Sequence, residues 1–129
     1  MIVVDASAIL EVLLQTAAAA RVSQRILSRN EILCAPHLLD VEAASVLRRY
    51  VRLNLIPADR GGDALRDLAD FPLHRYPHHV LLPRMWQLRN NFTAYDAAYL
   101  ALAEALDAPL VTRDRALRSA GSRARVEVL

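Results

Sequence analysis

The sequence predicts an α/β fold of three α/β/α layers, with a central parallel sheet of four to five strands. Short apolar runs rich in β-branched residues, the first of them Met1–Val4, alternate along the chain with longer stretches of helical periodicity. Strands that are covered on both faces read as continuous apolar runs, as these do. Such an alternation of strands and helices is typical of a parallel sheet packed between helices.

Each element has a local signal of its own. Pro36 closes the second strand, Pro57 opens a helix, and Pro83 is tolerated in the first turn of another helix. The predicted strands are Met1–Val4, Ile32–Ala35, Leu73–Tyr76, Pro109–Thr112 and Val126–Leu129. The predicted helices are Ser7–Leu14, Ala17–Ser28, Leu38–Leu53, Pro57–Ala69, Leu82–Arg89, Ala94–Leu106 and the short Arg115–Ser119.

Length and composition favour one globular domain over residues 1–129. The chain has 129 residues, of which 54% are hydrophobic, and a formal net charge of +2. Cys34 is its single cysteine, so we expect no internal disulfide and a reducing, cytoplasmic environment. The longest apolar run, Ala97–Ala103, is far shorter than the roughly 20 residues of a membrane-spanning helix. All 16 basic residues are arginine, a side chain whose planar fork suits phosphate.

Acidic residues follow two of the predicted strands. In open parallel sheets, functional sites lie beyond the carboxyl ends of the strands. Asp5 comes directly after the first strand and Asp114 follows the fourth, while Glu42 and Asp96 lie on predicted helices. A doubly wound fold can therefore bring these four carboxylates to one edge of the sheet.

Helix capping is a competing interpretation for these acids. Asp5 and Asp114 each precede a helix, where a carboxylate often accepts a hydrogen bond from a backbone amide. Asp96 forms part of a capping-box pattern, but helical spacing also places it in the middle of an apolar face, where a carboxylate needs a partner or a metal. Periodicity does not choose between Asp40 and Glu42 on the third predicted helix.

A cluster of four carboxylates predicts a bound cation. Two such charges about 4 Å apart repel by roughly 4 kcal/mol at an effective dielectric of about 20. A hard divalent ion relieves that repulsion through oxygen ligands, polarises a phosphoryl oxygen and lowers the pKa of bound water. The cluster therefore favours hydrolysis of a phosphodiester without a protein nucleophile.

Four segments form a pattern that spans nearly the whole chain: Ile2–Ala8, Pro36–Glu42 leading into Val46-Leu47, Tyr95–Ala103 and Leu110–Asp114. In this order they resemble the PIN-domain family and, within it, the compact VapC toxins. The resemblance implies a metal-dependent endoribonuclease, the toxin of a type II toxin–antitoxin pair.

The same resemblance implies Mg²⁺ or Mn²⁺ held mainly by Asp5 and Asp96, together with Glu42, which it selects over Asp40, and Asp114. Ser7 and Thr112 correspond to the family's hydroxyl positions near the acids.

The same resemblance implies partners. They are an RNA substrate, a VapB-like antitoxin, and a second copy of the chain in a homodimer that forms a larger hetero-oligomer with the antitoxin. The first two predicted helices hold more apolar side chains than one buried stripe needs, Leu13 and Leu14 among them, and we expect an amphipathic antitoxin segment to dock there.

Two other functional classes share part of this pattern. A signalling receiver domain also carries acids at strand ends, but it needs a pair of adjacent acids after the first strand and a late lysine, and this chain has neither. A non-catalytic PIN-like scaffold that binds RNA or protein is the alternative, and the complete set of acids disfavours it. The four histidines show no zinc-ligand spacing. Trp86 is expected in the core or in a subunit interface, with the core as the default. Arg113 and Arg115 could meet the RNA backbone as readily as remain solvated.

Overall fold

The computed structural model describes residues 1–27 and 30–129. Over these residues the five predicted strands form one parallel sheet in the order β3-β2-β1-β4-β5. Every strand end lies within a residue of its predicted position. The strands are β1 Ile2–Val4, β2 Leu33–Pro36, β3 Leu73–Tyr76, β4 Leu110–Thr112 and β5 Val126–Val128.

Six α-helices in the described part of the chain connect the strands. Helix α1 packs against α2, α3 and α4, whereas α6 packs against α5 and contacts β1, β2 and β4. These two groups of helices form the outer layers, which confirms the predicted three-layer α/β class. The helices are α1 Ala6–Leu13, α2 Ala19–Leu27, α3 Leu38–Arg52, α4 Ala58–Asp70, α5 Leu82–Gln87 and α6 Ala94–Leu106.

Differences from the predicted helices are confined to their ends and to short turns. The predicted second helix ran to Ser28, which lies outside the described residues. A 3-10 turn at His79–Leu81, which was not predicted, leads into α5. The last predicted helix is a 3-10 helix, Arg115–Arg118. None of the helices in the described ranges is both long and apolar enough to cross a membrane.

The centre of the sheet is where the core is most completely closed. All three residues of β1 and the Ala97–Ala103 segment of α6 are buried. After β1 the chain adds β2 and β3 on one side of it, and then adds β4 and β5 on its other side. Such a switch in strand order opens a crevice beyond the strand ends, which is where open α/β sheets bind ligands.

The structure corrects two expectations about apolar residues. Trp86 is 68% exposed and so is not in the core, because α5 lies at the outside of its layer, and the Arg89 guanidinium stacks over its ring at 4.5 Å; the alternative of a subunit interface stays open. On the first two helices, Leu27 at the end of α2 is the only exposed large apolar residue within the described residues. The core takes Leu13 fully, and Leu14 is half-buried. The exposed large apolar residues in the described chain lie mostly on other elements: Val41, Leu53, Leu55, Leu65, Val80, Leu82, Trp86 and Tyr95.

Candidate active site

Asp5 lies at the centre of the site and is held by three hydrogen bonds. It follows β1 and caps α1, where its Oδ1 accepts from the Ala8 amide at 3.0 Å and from Ser7 Oγ at 2.7 Å. Its Oδ2 accepts from the Thr112 hydroxyl. Only 6% of Asp5 is exposed, and this burial raises the pKa of its carboxyl, while the three hydrogen bonds offset part of the rise.

The pairing of β1 with β4 brings Thr112 and Asp114 to Asp5. Val4 pairs with Val111, so the residues that follow each strand are neighbours. Thr112 is fully buried, and its Oγ1 accepts from the Asp114 amide at 2.9 Å. Asp114 in turn caps the 3-10 helix by accepting from the Ala116 amide at 2.9 Å. Capping and membership of the acidic cluster are therefore compatible for both Asp5 and Asp114.

Glu42 faces the same pocket from the neighbouring helix α3. Its Oε1 is buried without a hydrogen-bond partner among the described residues, and so is the Tyr99 hydroxyl that lies near it on α6. Burial raises the pKa of the Glu42 carboxyl, the nearby Tyr99 hydroxyl partly offsets this, and the negative charges of Asp5 and Asp96 raise it further. The carboxylate is thus desolvated without a compensating cation.

Asp96 lies in the first turn of α6, half-buried at the rim of the pocket. Thr93 caps the helix by accepting from the Asp96 amide at 3.2 Å, as the capping-box pattern predicted. Burial raises the pKa of the Asp96 carboxyl, and the negative charge of Asp114 raises it further. The carboxylates of the site therefore influence one another's ionisation, although they come from four separate elements.

All four predicted carboxylates, Asp5, Glu42, Asp96 and Asp114, line one cleft of about 290 Å³. Across residues 1–27 and 30–129, no three acidic, histidine or cysteine side chains stand close enough together to form a ready-made metal cage. The donor set nevertheless fits a hard divalent cation, because it consists of oxygen atoms and includes the partnerless, buried Oε1 of Glu42.

Residues 2–122 match the family model described as the PIN domain. The chain belongs to the PIN-domain family. Ribonuclease VapC9 of Mycobacterium tuberculosis is 46% identical over 121 residues, which cover 94% of this chain and 91% of that protein. This similarity over nearly the whole length puts the chain among the VapC ribonucleases of the family. Metal dependence is general in these enzymes.

Solved structures share the PIN fold at lower identity. VapC20 of M. tuberculosis, described as a toxin that cleaves the sarcin-ricin loop, superposes with a TM-score of 0.72 at 14% identity, covering 95% of this chain and 96% of its own. VapBC2 of Rickettsia felis, solved with a DNA fragment from its promoter, gives a TM-score of 0.71 at 12% identity, covering 98% of each chain. At these identities the likeness concerns the fold.

The structure identifies Glu42, and not Asp40, as the residue of α3 that lines the acidic pocket, a choice that helical periodicity left open. Asp40 Oδ2 accepts a hydrogen bond from Arg75 Nε of β3 at 2.7 Å, away from the acidic pocket. Sequence reasoning also missed Tyr99 as a residue of the site. Its position three residues after Asp96 on α6 was the available signal, because residues three apart share a helix face.

Proposed function

We propose that this VapC-family chain is a toxin endoribonuclease that hydrolyses RNA with Mg²⁺ or Mn²⁺ held by its acidic pocket. The observation that carries the proposal is the convergence of four carboxylates on one cleft at the carboxyl ends of β1 and β4. Asp5 and Asp96 are the main ligands in this proposal, and Glu42 and Asp114 complete the set. A divalent cation bound there polarises the phosphate and lowers the pKa of water.

The chain's own residues orient the reaction. Ser7 and Thr112 hold the Asp5 carboxylate in one direction, because each donates a hydrogen bond to a different oxygen of it. Such supporting hydrogen bonds fix the orientation of ligating carboxylates. Tyr99 of α6 and Glu42 of α3 line the same cleft. The pocket thereby places a phosphodiester so that a water oxygen bonds to phosphorus while an ester P–O bond breaks and its oxygen gains a proton.

Substitution of the two main ligands tests the activity. Asp5→Asn and Asp96→Asn keep the shape of the side chain but remove a charge from the pocket. Each should lower the rate of RNA cleavage by at least about 100-fold, the order of loss found when a preorganised electrostatic contact to the transition state is removed. Unchanged circular dichroism spectra would show that both variants fold.

Metal dependence separates this proposal from the alternative of a non-catalytic scaffold. Cleavage of a single-stranded RNA should stop with chelator and resume on addition of Mg²⁺ or Mn²⁺. RNA binding without cleavage in either ion would favour the scaffold. Normal cleavage by either variant would contradict the ligand assignment.

We also propose that the chain works in the cytoplasm as a homodimer controlled by a VapB-like antitoxin. Exposed apolar side chains on and before α5, namely Val80, Leu82 and Trp86, support an interface there. An arginine of the antitoxin entering the acidic pocket would pair with its carboxylates. Light scattering should give twice the chain mass. Leu14 is half-buried and lines the same cleft as the carboxylates, so an antitoxin segment that reaches them would contact it, and Leu14→Glu should weaken antitoxin binding more than RNA cleavage. A monomer at high concentration contradicts the dimer, and undiminished antitoxin affinity contradicts docking at Leu14.

A further inference from the structure

Four arginine side chains from three parts of the chain line one cleft beside the acidic pocket. Arg21 lies on α2, Arg113 follows β4, and Arg115 and Arg118 belong to the 3-10 helix. We call these four residues the arginine patch. All four are exposed, and no acidic residue lines the same cleft in the described part of the chain.

Three of the four guanidinium groups make no ion pair or hydrogen bond with the described residues: those of Arg21, Arg115 and Arg118. Arg113 differs, because its side chain reaches Glu11 at 3.5 Å and donates to the terminal oxygen of Leu129. Elsewhere on this chain arginines pair with carboxylates, as Arg75 does with Asp40. Arg21, Arg115 and Arg118 thus concentrate positive charge that no acidic side chain of the described residues offsets.

The patch is attached directly to the acidic site. Asp114, which lines the acidic pocket, stands between Arg113 and Arg115 in the chain. The Arg113 amide also donates to Ser7 Oγ at 2.9 Å, and Ser7 in turn donates to Asp5. The patch is therefore joined through Arg113 and Asp114 to the part of the acidic site that contains Ser7 and Asp5.

A polyanionic substrate requires positive charge beside a cleft that is lined by carboxylates. RNA carries a negative charge at every phosphate, and the cleft in which it is to be cut is lined by carboxylates. Arginine binds phosphate through two parallel N–H···O bonds, whereas lysine acts as a point charge. Cations beside the pocket offset the repulsion and hold the strand by its backbone, without reading its bases.

We propose that the arginine patch is a binding site for the RNA backbone phosphates next to the scissile one, with Arg21, Arg115 and Arg118 as phosphate contacts. This inference rests on the proposed ribonuclease function. It assigns a positioning role to residues that lie outside the carboxylate cluster and take no part in bond cleavage. Arg113 contributes charge while its amide holds Ser7 in place.

Equilibrium binding of RNA tests the patch without relying on cleavage. A short fluorescein-labelled single-stranded RNA is titrated, with Mn²⁺ present, with full-length Asp5→Asn protein, and again after Arg21→Gln, Arg115→Gln and Arg118→Gln are added together. Binding should weaken at least about tenfold at low salt. The slope of log K against log salt should flatten by about 2, since each lost contact to a single strand contributes about 0.7.

A matched control removes the same charge elsewhere. Arg48→Gln, Arg52→Gln and Arg66→Gln change three exposed arginines on α3 and α4, away from both clefts, and should leave the affinity and the salt slope nearly unchanged. An equal loss in the control would show a general charge effect and overturn the proposal. So would unchanged RNA binding in the patch variant, including the case in which that variant loses affinity for an antitoxin instead.

The two proposals fail separately. RNA cleavage by the wild-type chain is measured on the same oligonucleotide with Mn²⁺. Absence of cleavage would overturn the proposed function, while the binding comparison in the Asp5→Asn background would still decide whether the patch holds phosphates.

Discussion

Glu104 and the acidic pocket both remove carboxylates from water, but only Glu104 receives cations from the protein. Glu104 on α6 has a 6% exposed side chain and accepts hydrogen bonds from Arg84 at 2.7 and 3.0 Å. Its Oε1, which accepts one of the Arg84 bonds, also accepts from the Ser122 hydroxyl at 2.9 Å and from the Arg123 amide at 2.8 Å. These contacts lower the pKa of Glu104 to about 2.

The acidic pocket shows the opposite electrostatic outcome. Within residues 1–27 and 30–129, no arginine forms an ion pair with Asp5, Glu42, Asp96 or Asp114, and the pKa values of the first three are raised. Glu104 has the pattern of a carboxylate that fastens the segment after β4 to α5 and α6. The carboxylates of the pocket have raised pKa values and no cationic partner, as expected of a site that binds a cation from solution. Perturbed pKa values of this kind are common at functional sites.

The largest expected effect is a loss of folding stability when the Glu104 ion pairs are removed. Glu104→Gln removes the charge to which Arg84 and Arg123 are bound and leaves a half-buried guanidinium without its partner. Breaking a buried ion pair costs about 3–5 kcal/mol, and the partial exposure of Arg84 places this case near the lower end. Urea unfolding with chelator should therefore show a lower free energy of unfolding for Glu104→Gln than for wild type. An equal value would mean that the Glu104 contacts contribute nothing to stability.

In the acidic pocket, removal of a charge should have the opposite effect and increase stability. Asp96→Asn removes one of the mutually repelling carboxylates and should raise the melting temperature by a few degrees when chelator is present. Asparagine keeps the side-chain size, so the packing of α6 is retained. A melting temperature below that of wild type would show that the Asp96 charge, in the first turn of α6, stabilises the helix more than it destabilises the pocket.

The smallest effect is in the pH dependence without metal. Glu104 has a folded pKa below its ordinary value of 4.5, so its stabilising contribution is present above that pH and is lost as pH falls toward about 2. The raised folded pKa values of Asp5, Glu42 and Asp96 act the other way: their contribution is complete at low pH and is lost as pH rises above the ordinary carboxyl range.

Thermal melts across pH in chelator should therefore show a maximum on the acidic side of neutrality. Glu104→Gln should flatten the acid limb and Asp96→Asn the limb at higher pH. If each substitution flattened the other limb, the assignment of the two regions would be reversed.

The sequence predicted the fold well, because the central strand β1 and its neighbour β2 are short apolar runs and the helices have clear periodicity. Asp5 and Asp114 were accessible for the same reason, since residues after parallel strands meet at one edge. The choice of Glu42 over Asp40 required the family resemblance. Asp40 accepts a hydrogen bond from Arg75, which is 35 residues away in the sequence, so no local sequence pattern indicates this pairing. The prediction of a buried Trp86 was wrong because the sequence does not show which face of the short outer helix α5 packs against α6.

The central claim is that the acidic pocket, and not the Glu104 site, takes a divalent cation from solution. Melting temperatures of wild type, Asp96→Asn and Glu104→Gln are compared with and without Mn²⁺. At about 100 times the dissociation constant, binding to the folded state adds about 2.7 kcal/mol, so wild type and Glu104→Gln should gain similarly, on the order of 10 °C. Asp96→Asn should gain much less. An identical gain in all three proteins, or none in wild type, would contradict the account.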